Sequence, residues 1–250
     1  MSLMQIDFFS DVLGREVAVN AVIPQGNQSY KTLYLLHGLS DNHTAWQRYT
    51  RVEQFASWSN VALVMPNCDR SFYTDMAQGD RYFTFLTDEL PKVMREFFRG
   101  MSAQRDDNFI AGLSMGGYGA FKAALTYPER YAAACSLSGA LDISFMISDY
   151  GVADSSIFRL NFGSPESFEG GENDLFALLK KDVAEEKRLP ELFFSCGTED
   201  AILPCSRRFR DACSALGVKA DYTEGPGGHN WTFWNERIEP FISYIGQYRK

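Results

Sequence analysis

The segment Gly112-Leu113-Ser114-Met115-Gly116 is the sequence feature that most restricts the fold of this chain. An apolar run at 109–111 precedes it and is typical of a buried strand, and residues 117–125 are typical of a helix. A serine placed directly between a strand and a helix lies at a turn so sharp that its φ becomes positive. The residues two positions to either side must then be small, because a Cβ there would collide with the strand or the helix. This pattern predicts an accessible Ser114 hydroxyl at the carboxyl end of a sheet.

Apolar runs alternate with helical patterns along the chain, and this alternation predicts an α/β fold. Strands buried on both faces of a parallel sheet are expected at 32–36, 61–65, 109–113, 132–137 and 192–196. An alternating run at 16–23 predicts an antiparallel edge strand, and 218–223 a final strand. Helices are expected at 52–59, 81–98, 118–127, 205–216 and 233–248. We therefore expect one domain over 1–250, with a mostly parallel central sheet flanked by helices.

The connection between the strands at 132–137 and 192–196 is roughly fifty residues long, far more than is usual in such folds. It contains a Gly-, Ser- and Glu-rich part at 161–173 and an apolar helical part at 175–179. An insertion at this point leaves the sheet at its carboxyl edge. We therefore expect a small cap at about 140–190 above the serine, with a surface excursion of no functional role as the alternative.

The amino-acid composition says little about the fold, but it restricts the kinds of binding partner that we expect. The 250 residues are 45% hydrophobic and carry a formal net charge of −8. The chain has no basic block and no apolar run near the roughly 18 residues of a membrane span, so we expect neither nucleic acid nor a membrane as partner. The five cysteines match no metal-binding spacing, and the first residues do not resemble a signal peptide. We expect no metal, no cofactor and a cytoplasmic location.

A serine hydroxyl is a poor nucleophile at neutral pH and needs a base within hydrogen-bonding reach. In α/β-hydrolases the chain order is nucleophile, acid, histidine, and of the three histidines only His229 follows Ser114. His229 lies in a Gly-rich loop directly after the last expected strand. The expected acid is Asp200, just beyond the strand at 192–196, because a carboxylate there can orient the imidazole. Asp142, which follows the preceding strand, is the alternative.

The negative charge that develops during acyl transfer requires preorganised N–H donors. The N–H of Met115, directly after the serine, is one expected donor. A His-Gly turn at 37–38 follows an early strand and provides the second, for which Leu39 is the candidate and Gly38 the close alternative. His37 is then a structural residue that braces the turn.

Four aromatic residues are candidates for the walls of a substrate pocket, namely Trp46, Tyr73, Phe145 and Trp231. Aromatic walls near the mouth would narrow the acyl site and favour acetyl to butyryl groups over long chains. Packing in the core is the alternative explanation for the same residues.

With these residues in place, the chain resembles the esterase D family of α/β-hydrolases, and in particular its bacterial tributyrin esterase branch. The resemblance extends over nearly the whole chain and lies mainly in the segments 35–40, 64–67, 73–76, 109–119, 196–200 and 228–229. It implies an α/β-hydrolase fold and a serine esterase that cleaves short-chain acyl esters of small molecules. The implied catalytic residues are Ser114, Asp200 and His229, with Leu39 and Met115 as oxyanion hole.

Several alternatives remain at the level of the sequence. Within the family, the chain could be an S-formylglutathione hydrolase or a carbohydrate acetyl or feruloyl esterase. Outside that group, an acyltransferase or a non-catalytic binding protein of the same fold is less well supported, since no triad member is missing. The sequence leaves open the natural ester and whether the chain forms a homo-oligomer.

Overall fold

The computed structural model describes residues 1–26, 29–151 and 155–248, and its centre is an eight-stranded sheet. The strand order is β1-β2-β4-β3-β5-β6-β7-β8. The strands are β1 (Ser2–Ser10), β2 (Arg15–Ile23), β3 (Lys31–Leu36), β4 (Val61–Pro66), β5 (Asn108–Leu113), β6 (Ala133–Leu137), β7 (Glu191–Gly197) and β8 (Ala220–Gly225). The β1–β2 and β2–β4 pairs are antiparallel and all others are parallel, so the expectation of a mostly parallel sheet is confirmed.

Helices cover both faces of the sheet. They are α1 (Ala45–Tyr49), α2 (Val52–Ser59), α3 (Tyr82–Thr84), α4 (Leu90–Phe97), α5 (Met115–Thr126), α6 (Ile143–Tyr150), α7 (Ser156–Phe162), α8 (Pro165–Phe168), α9 (Leu175–Ala184), α10 (Leu203–Ala215) and α11 (Trp231–Gln247). Neighbouring residues of β3 face opposite layers: Tyr34 belongs to the apolar cluster that includes α5 and α9, and Leu33 and Leu35 belong to the cluster that includes α2 and α11. Among the described residues, no helix has the length and apolar character needed to cross a bilayer.

The prediction of residues 16–23 as an edge strand was wrong, because β2 lies between β1 and β4. The edge strand is β1, which was not predicted from the sequence. Its nine residues pair with β2 from Ser2–Ile23 to Ser10–Arg15. Leu3 and Phe9 are exposed in this strand, and Ile6 is only partly buried. An edge strand that buries so few apolar side chains has weak period-two patterning, which explains why the pattern did not indicate it.

The helix expected at 81–98 is divided in the structure. Between α3 and α4 lies a π-helical turn at Phe85–Glu89, in which the Leu90 N–H donates to the Phe85 carbonyl. Pro91 follows directly and has no N–H, so the regular helical hydrogen bond from this residue cannot form. The wider turn accommodates that missing donor.

The long insertion after β6 forms helices α6 to α9 within the expected range of 140–190. It is tied to the loop after β4 by hydrogen bonds from the Ala77 N–H to the Asn161 carbonyl and from the Gln78 N–H to the Leu160 carbonyl, at 3.1 and 2.9 Å. The Tyr118 hydroxyl of α5 also donates to the Asn173 carbonyl at 2.6 Å. The insertion is therefore anchored to the same helix that follows Ser114. A function as a cap above the serine stays a prediction.

Candidate active site

Ser114 lies at the turn between β5 and α5, with φ 53° and ψ −118°. A non-glycine residue rarely adopts a positive φ of this kind, and the pattern predicts it here. A Cβ on Gly112 would overlap the carbonyl of Gly116, and a Cβ on Gly116 would lie 2.5 Å from the carbonyl oxygen of Leu36. The two glycines therefore permit the turn and also allow α5 to approach the end of β3.

Three side chains from three separate loops meet at this turn. Nε2 of His229 lies 3.0 Å from Oγ of Ser114, and Nδ1 of His229 lies 2.9 Å from Oδ2 of Asp200. Since a carboxylate only accepts, Nδ1 carries the proton and Nε2 can accept from the serine hydroxyl. The Asp200 side chain is fully buried, whereas that of His229 is 36% exposed. The imidazole therefore faces both the buried carboxylate and the solvent-accessible serine.

The Asp200 carboxylate is held in its ionised form by several donors. Burial by itself raises its pKa, but the hydrogen bond and charge of His229, the Ser138 hydroxyl and the Ile202 N–H together lower the pKa below its usual value. The Ile202 N–H reaches Oδ1 at 3.0 Å. A permanent negative charge beside Nδ1 stabilises the imidazolium that forms when His229 takes a proton.

Ser138 was not identified from the sequence. It follows β6 directly and has φ 47°, and its N–H donates to the Ser195 carbonyl at 2.8 Å. Its side chain contributes to lowering the pKa of Asp200. Its position at the end of β6 could have identified it in the sequence. Strand β6 lies between β5 and β7, and the loops after those two strands carry Ser114 and Asp200.

The alternative acid, Asp142, is engaged elsewhere. Its Oδ1 accepts from the Phe145 N–H at 2.8 Å and caps α6, and its Oδ2 accepts from Nε of Arg208 at 2.5 Å. Neither oxygen is hydrogen-bonded to His229. The geometry therefore favours Asp200 as the partner of the histidine.

The predicted oxyanion donors are backbone N–H groups at the start of α5 and in the loop after β3. The N–H of Met115 opens α5, where N–H groups lack partners within the helix. In the loop after β3, the Gly38 N–H donates to Oδ2 of Asp41 at 3.2 Å, which occupies one of the two candidate donors. For the N–H groups of Leu39 and Met115, no acceptor is found within the described parts of the chain. This difference favours Leu39 over Gly38.

His37 braces the same loop from the core. It is buried, its Nδ1–H donates to the Gly38 carbonyl at 2.8 Å, and its Nε2 accepts from the Cys68 N–H at 3.0 Å. Burial lowers the pKa of His37 to about 4, so it stays neutral. Both ring nitrogens are used inside the protein, which agrees with the structural role expected for this residue.

Two of the four candidate pocket residues lie in the core, which departs from the prediction of substrate-facing walls. Trp46 is 1% exposed and donates from Nε1 to the Leu36 carbonyl at 2.9 Å. Tyr73 is 0% exposed and donates from its hydroxyl to the His37 carbonyl at 2.9 Å. Both side chains therefore lie in the core and stabilise the carboxyl end of β3 and the residue that follows it. Aromatic residue type alone could not distinguish a wall from such a brace.

The other two candidates remain partly accessible. The Trp231 ring lies 5.3 Å from Trp46 and 5.2 Å from Trp234, measured between ring centroids. Trp234, which was not predicted, meets the His229 ring at 5.0 Å with perpendicular planes. Phe145 is partly buried in α6, with the Arg208 guanidinium 5.2 Å from its ring centre. Trp234 and Trp231 begin the helix after His229, and their i, i+3 spacing could have indicated a shared face.

A mostly parallel sheet flanked by helices, with a strained serine between strand and helix and a histidine after the last strand, defines an α/β-hydrolase. The chain matches the family model described as "Putative esterase" over residues 10–242. It is 32% identical to an acetyl esterase of Caldicellulosiruptor saccharolyticus, covering 99% of both chains. We therefore conclude that the chain belongs to this esterase family and is a carboxylic ester hydrolase.

Solved structures give the same class. The fluorophosphonate-binding serine hydrolase F of Staphylococcus aureus superimposes with a TM-score of 0.91 at 33% identity, covering 98% of both chains. An S-formylglutathione hydrolase (FrmB) from Staphylococcus aureus superimposes with a TM-score of 0.88 at 32% identity, again covering 98% of both chains. The fold of this chain is thus that of the esterase-type α/β-hydrolases.

Proposed function

We propose that the chain is a serine carboxylesterase for short-chain acyl esters. In this proposal Ser114 is the nucleophile, His229 the general base, Asp200 its partner, and the N–H groups of Leu39 and Met115 form the oxyanion hole. The observation that carries the proposal is the continuous hydrogen-bonded series from carboxylate to imidazole to hydroxyl, with steps of 2.9 and 3.0 Å. Both distances are within the range that proton transfer requires.

The reaction proceeds in two halves. His229 Nε2 takes the hydroxyl proton while the Ser114 oxygen attacks the acyl carbonyl carbon, and the resulting oxyanion accepts hydrogen bonds from Leu39 and Met115. The C–O bond to the alcohol then breaks, and the alcohol leaves with the proton from His229. Water, deprotonated by the same nitrogen, attacks the acyl-enzyme and releases the carboxylic acid. Asp200 stays ionised throughout.

Small acyl groups are the proposed substrates. An acetyl esterase is 32% identical over the full length, which supports acetyl-type chemistry for this chain. Trp231, partly exposed beside Trp234 and His229, and Phe145 on α6 are the proposed pocket walls. Bulky aromatic walls leave room for acetyl to butyryl groups but not for long chains.

A thioester is the second candidate substrate, because one of the similar structures is named as an S-formylglutathione hydrolase. The same serine and oxyanion hole would serve an ester or a thioester. An ester releases an alcohol and a thioester releases a thiol. Only the relative rates of hydrolysis of the two kinds of substrate therefore distinguish the two candidates.

The decisive experiment compares the purified protein and Ser114→Ala on p-nitrophenyl acetate, butyrate and palmitate and on S-formylglutathione. We expect rapid hydrolysis of the acetate and butyrate, little of the palmitate, and loss of about 10⁶-fold in turnover for Ser114→Ala. A formyl thioester that is cleaved far faster than every oxygen ester would favour the second candidate. Unchanged hydrolysis by Ser114→Ala would refute the proposal.

The proposed location is a reducing compartment such as the cytoplasm. All five cysteines are free and buried. Burial raises the pKa of the Cys135 and Cys205 thiols, so these groups remain protonated and unreactive. Buried thiols of this kind act as small hydrophobic side chains.

A further inference from the structure

The loop after β3 carries an acidic side chain, Asp41, that the proposed mechanism leaves unused. Its Oδ2 accepts from the Gly38 N–H at 3.2 Å, and its own N–H donates to the Gly38 carbonyl at 3.2 Å. These two bonds close a turn around Leu39. The Leu39 N–H has no acceptor within the described residues, so the turn leaves this donor available.

The contact between Asp41 and Gly38 also leaves little room for a side chain at position 38. A Cβ at this position would lie 2.8 Å from Oδ2 of Asp41 and 2.7 Å from Cδ1 of Leu113. Leu113 directly precedes Ser114, so residue 38 is held between the serine strand and the carboxylate. The position of the Asp41 carboxylate therefore affects the distance between the loop after β3 and Ser114.

We propose that Asp41 is a positioning residue for the oxyanion hole: it captures the Gly38 N–H and so holds the turn in which the Leu39 N–H stays available to the substrate. This proposal rests on the function proposed above. Without the carboxylate, the Gly38 N–H loses its acceptor and the turn keeps only the backbone bond from Asp41 to Gly38. An oxyanion donor that is misplaced by a fraction of an ångström loses much of its effect.

The charge of Asp41 also interacts with His229. The carboxylate is partly buried, which raises its pKa, while the Gly38 N–H and the charge of His229 lower it in part. His229 therefore interacts with two carboxylates, with Asp200 by a direct hydrogen bond and with Asp41 through space. Glu199, the other acidic residue of these loops, accepts from the Gly227 N–H at 3.1 Å.

The test compares Asp41→Ala with Asp41→Asn. Alanine removes the acceptor, whereas asparagine keeps a carbonyl oxygen that can accept from Gly38 and removes only the charge. With p-nitrophenyl acetate we expect kcat to fall about 10- to 100-fold in Asp41→Ala, with a smaller change in KM, and Asp41→Asn to stay within about fivefold of the parent. Ser40→Ala, an exposed neighbour in the same loop, is the matched control and should leave kcat unchanged.

Rescue by the conservative variant supplies a readout that a merely structural role would not move. Asparagine restores an acceptor for the Gly38 N–H without the charge, so kcat should recover in Asp41→Asn. The kcat of Asp41→Asn tests the proposal even where Asp41→Ala fails to fold. A folded Asp41→Asn with a kcat as low as that of a folded Asp41→Ala, or more than about tenfold below the parent, would overturn the proposal, as would an Asp41→Ala enzyme as active as the parent.

A fluorophosphonate probe separates this proposal from the proposed function. If the parent protein neither reacts with the probe nor hydrolyses any ester, the esterase proposal fails and this inference fails with it. If the parent reacts at Ser114 and Asp41→Ala reacts at the same rate, the inference about Asp41 alone is refuted. A labelling rate that falls in Asp41→Ala and recovers in Asp41→Asn supports it.

Discussion

Replacing Asp200 by asparagine should remove most of the activity through the tautomer of His229. The Oδ1 atom of Asp200 accepts from the Ile202 N–H at 3.0 Å, so the single oxygen of asparagine remains at that position. The amide nitrogen then takes the place of Oδ2, which lies 2.9 Å from Nδ1 of His229. A donor there requires Nδ1 to lose its proton and Nε2 to carry one. In that state Nε2 cannot accept the proton of Ser114.

The expected loss in kcat is about 10⁴-fold, or about 5 kcal/mol of transition-state stabilisation. The volume of the side chain hardly changes, so the fold should remain intact. Steady-state kinetics on p-nitrophenyl acetate give the rate, and thermal unfolding followed by circular dichroism confirms that the variant is folded.

Asp142→Asn is the matched control, because it makes the same change in the alternative acid. Asparagine keeps the oxygen that caps α6, and the lost ion pair is with Arg208, whose side chain is 57% exposed. We expect activity within about threefold of the parent and a loss of at most about 1 kcal/mol in the free energy of unfolding. If Asp142→Asn were the more damaging of two folded variants, the assignment of Asp200 would be wrong.

Three further predictions follow from the site. Gly112→Ala should be poorly folded or inactive, because its Cβ would overlap the Gly116 carbonyl, and circular dichroism with an esterase assay checks both. Ser138→Ala removes a group that lowers the pKa of Asp200, so the variant should be less stable than the parent near neutral pH and should lose less stability on acidification, and urea unfolding measured across the acidic pH range checks both. Activity should survive EDTA, since the mechanism uses no metal, and a loss reversed by added metal would contradict it.

The central part of the site could be predicted because it follows from chain order and from the turn chemistry at Ser114. The serine must follow a strand, and the loops after β7 and β8 end at the same edge of the sheet, so the places of Asp200 and His229 follow from topology. Distances of about 3 Å between their atoms could not be predicted. The distance between Ser114 and His229, for example, depends on packing that brings together residues 115 positions apart.

The supporting residues were harder to predict, for different reasons. Tyr73 and Trp46 are amphipathic side chains that suit both a pocket wall and the core, and only the structure shows their polar atoms bonded to carbonyls at the end of β3. Ser138 acts through one hydroxyl, and a serine after a strand carries no distinctive pattern. Strand β1 lacks a continuous apolar run, since most of its side chains face solvent.

The position of His229 follows from the pairing of β7 with β8 rather than from a mobile loop. Gly197 and Gly225 are the last paired residues of these parallel strands, and the Thr198 N–H continues the pairing by donating to the Gly225 carbonyl at 2.8 Å. The Glu199 N–H then donates to the Gly227 carbonyl at 3.0 Å, and a Cβ on Gly197 would overlap that carbonyl. The loops that carry acid and base therefore form one hydrogen-bonded unit extending from the sheet. Because this unit and the Ser114 turn arise from the same sheet edge, the register of the strands brings the imidazole to the serine.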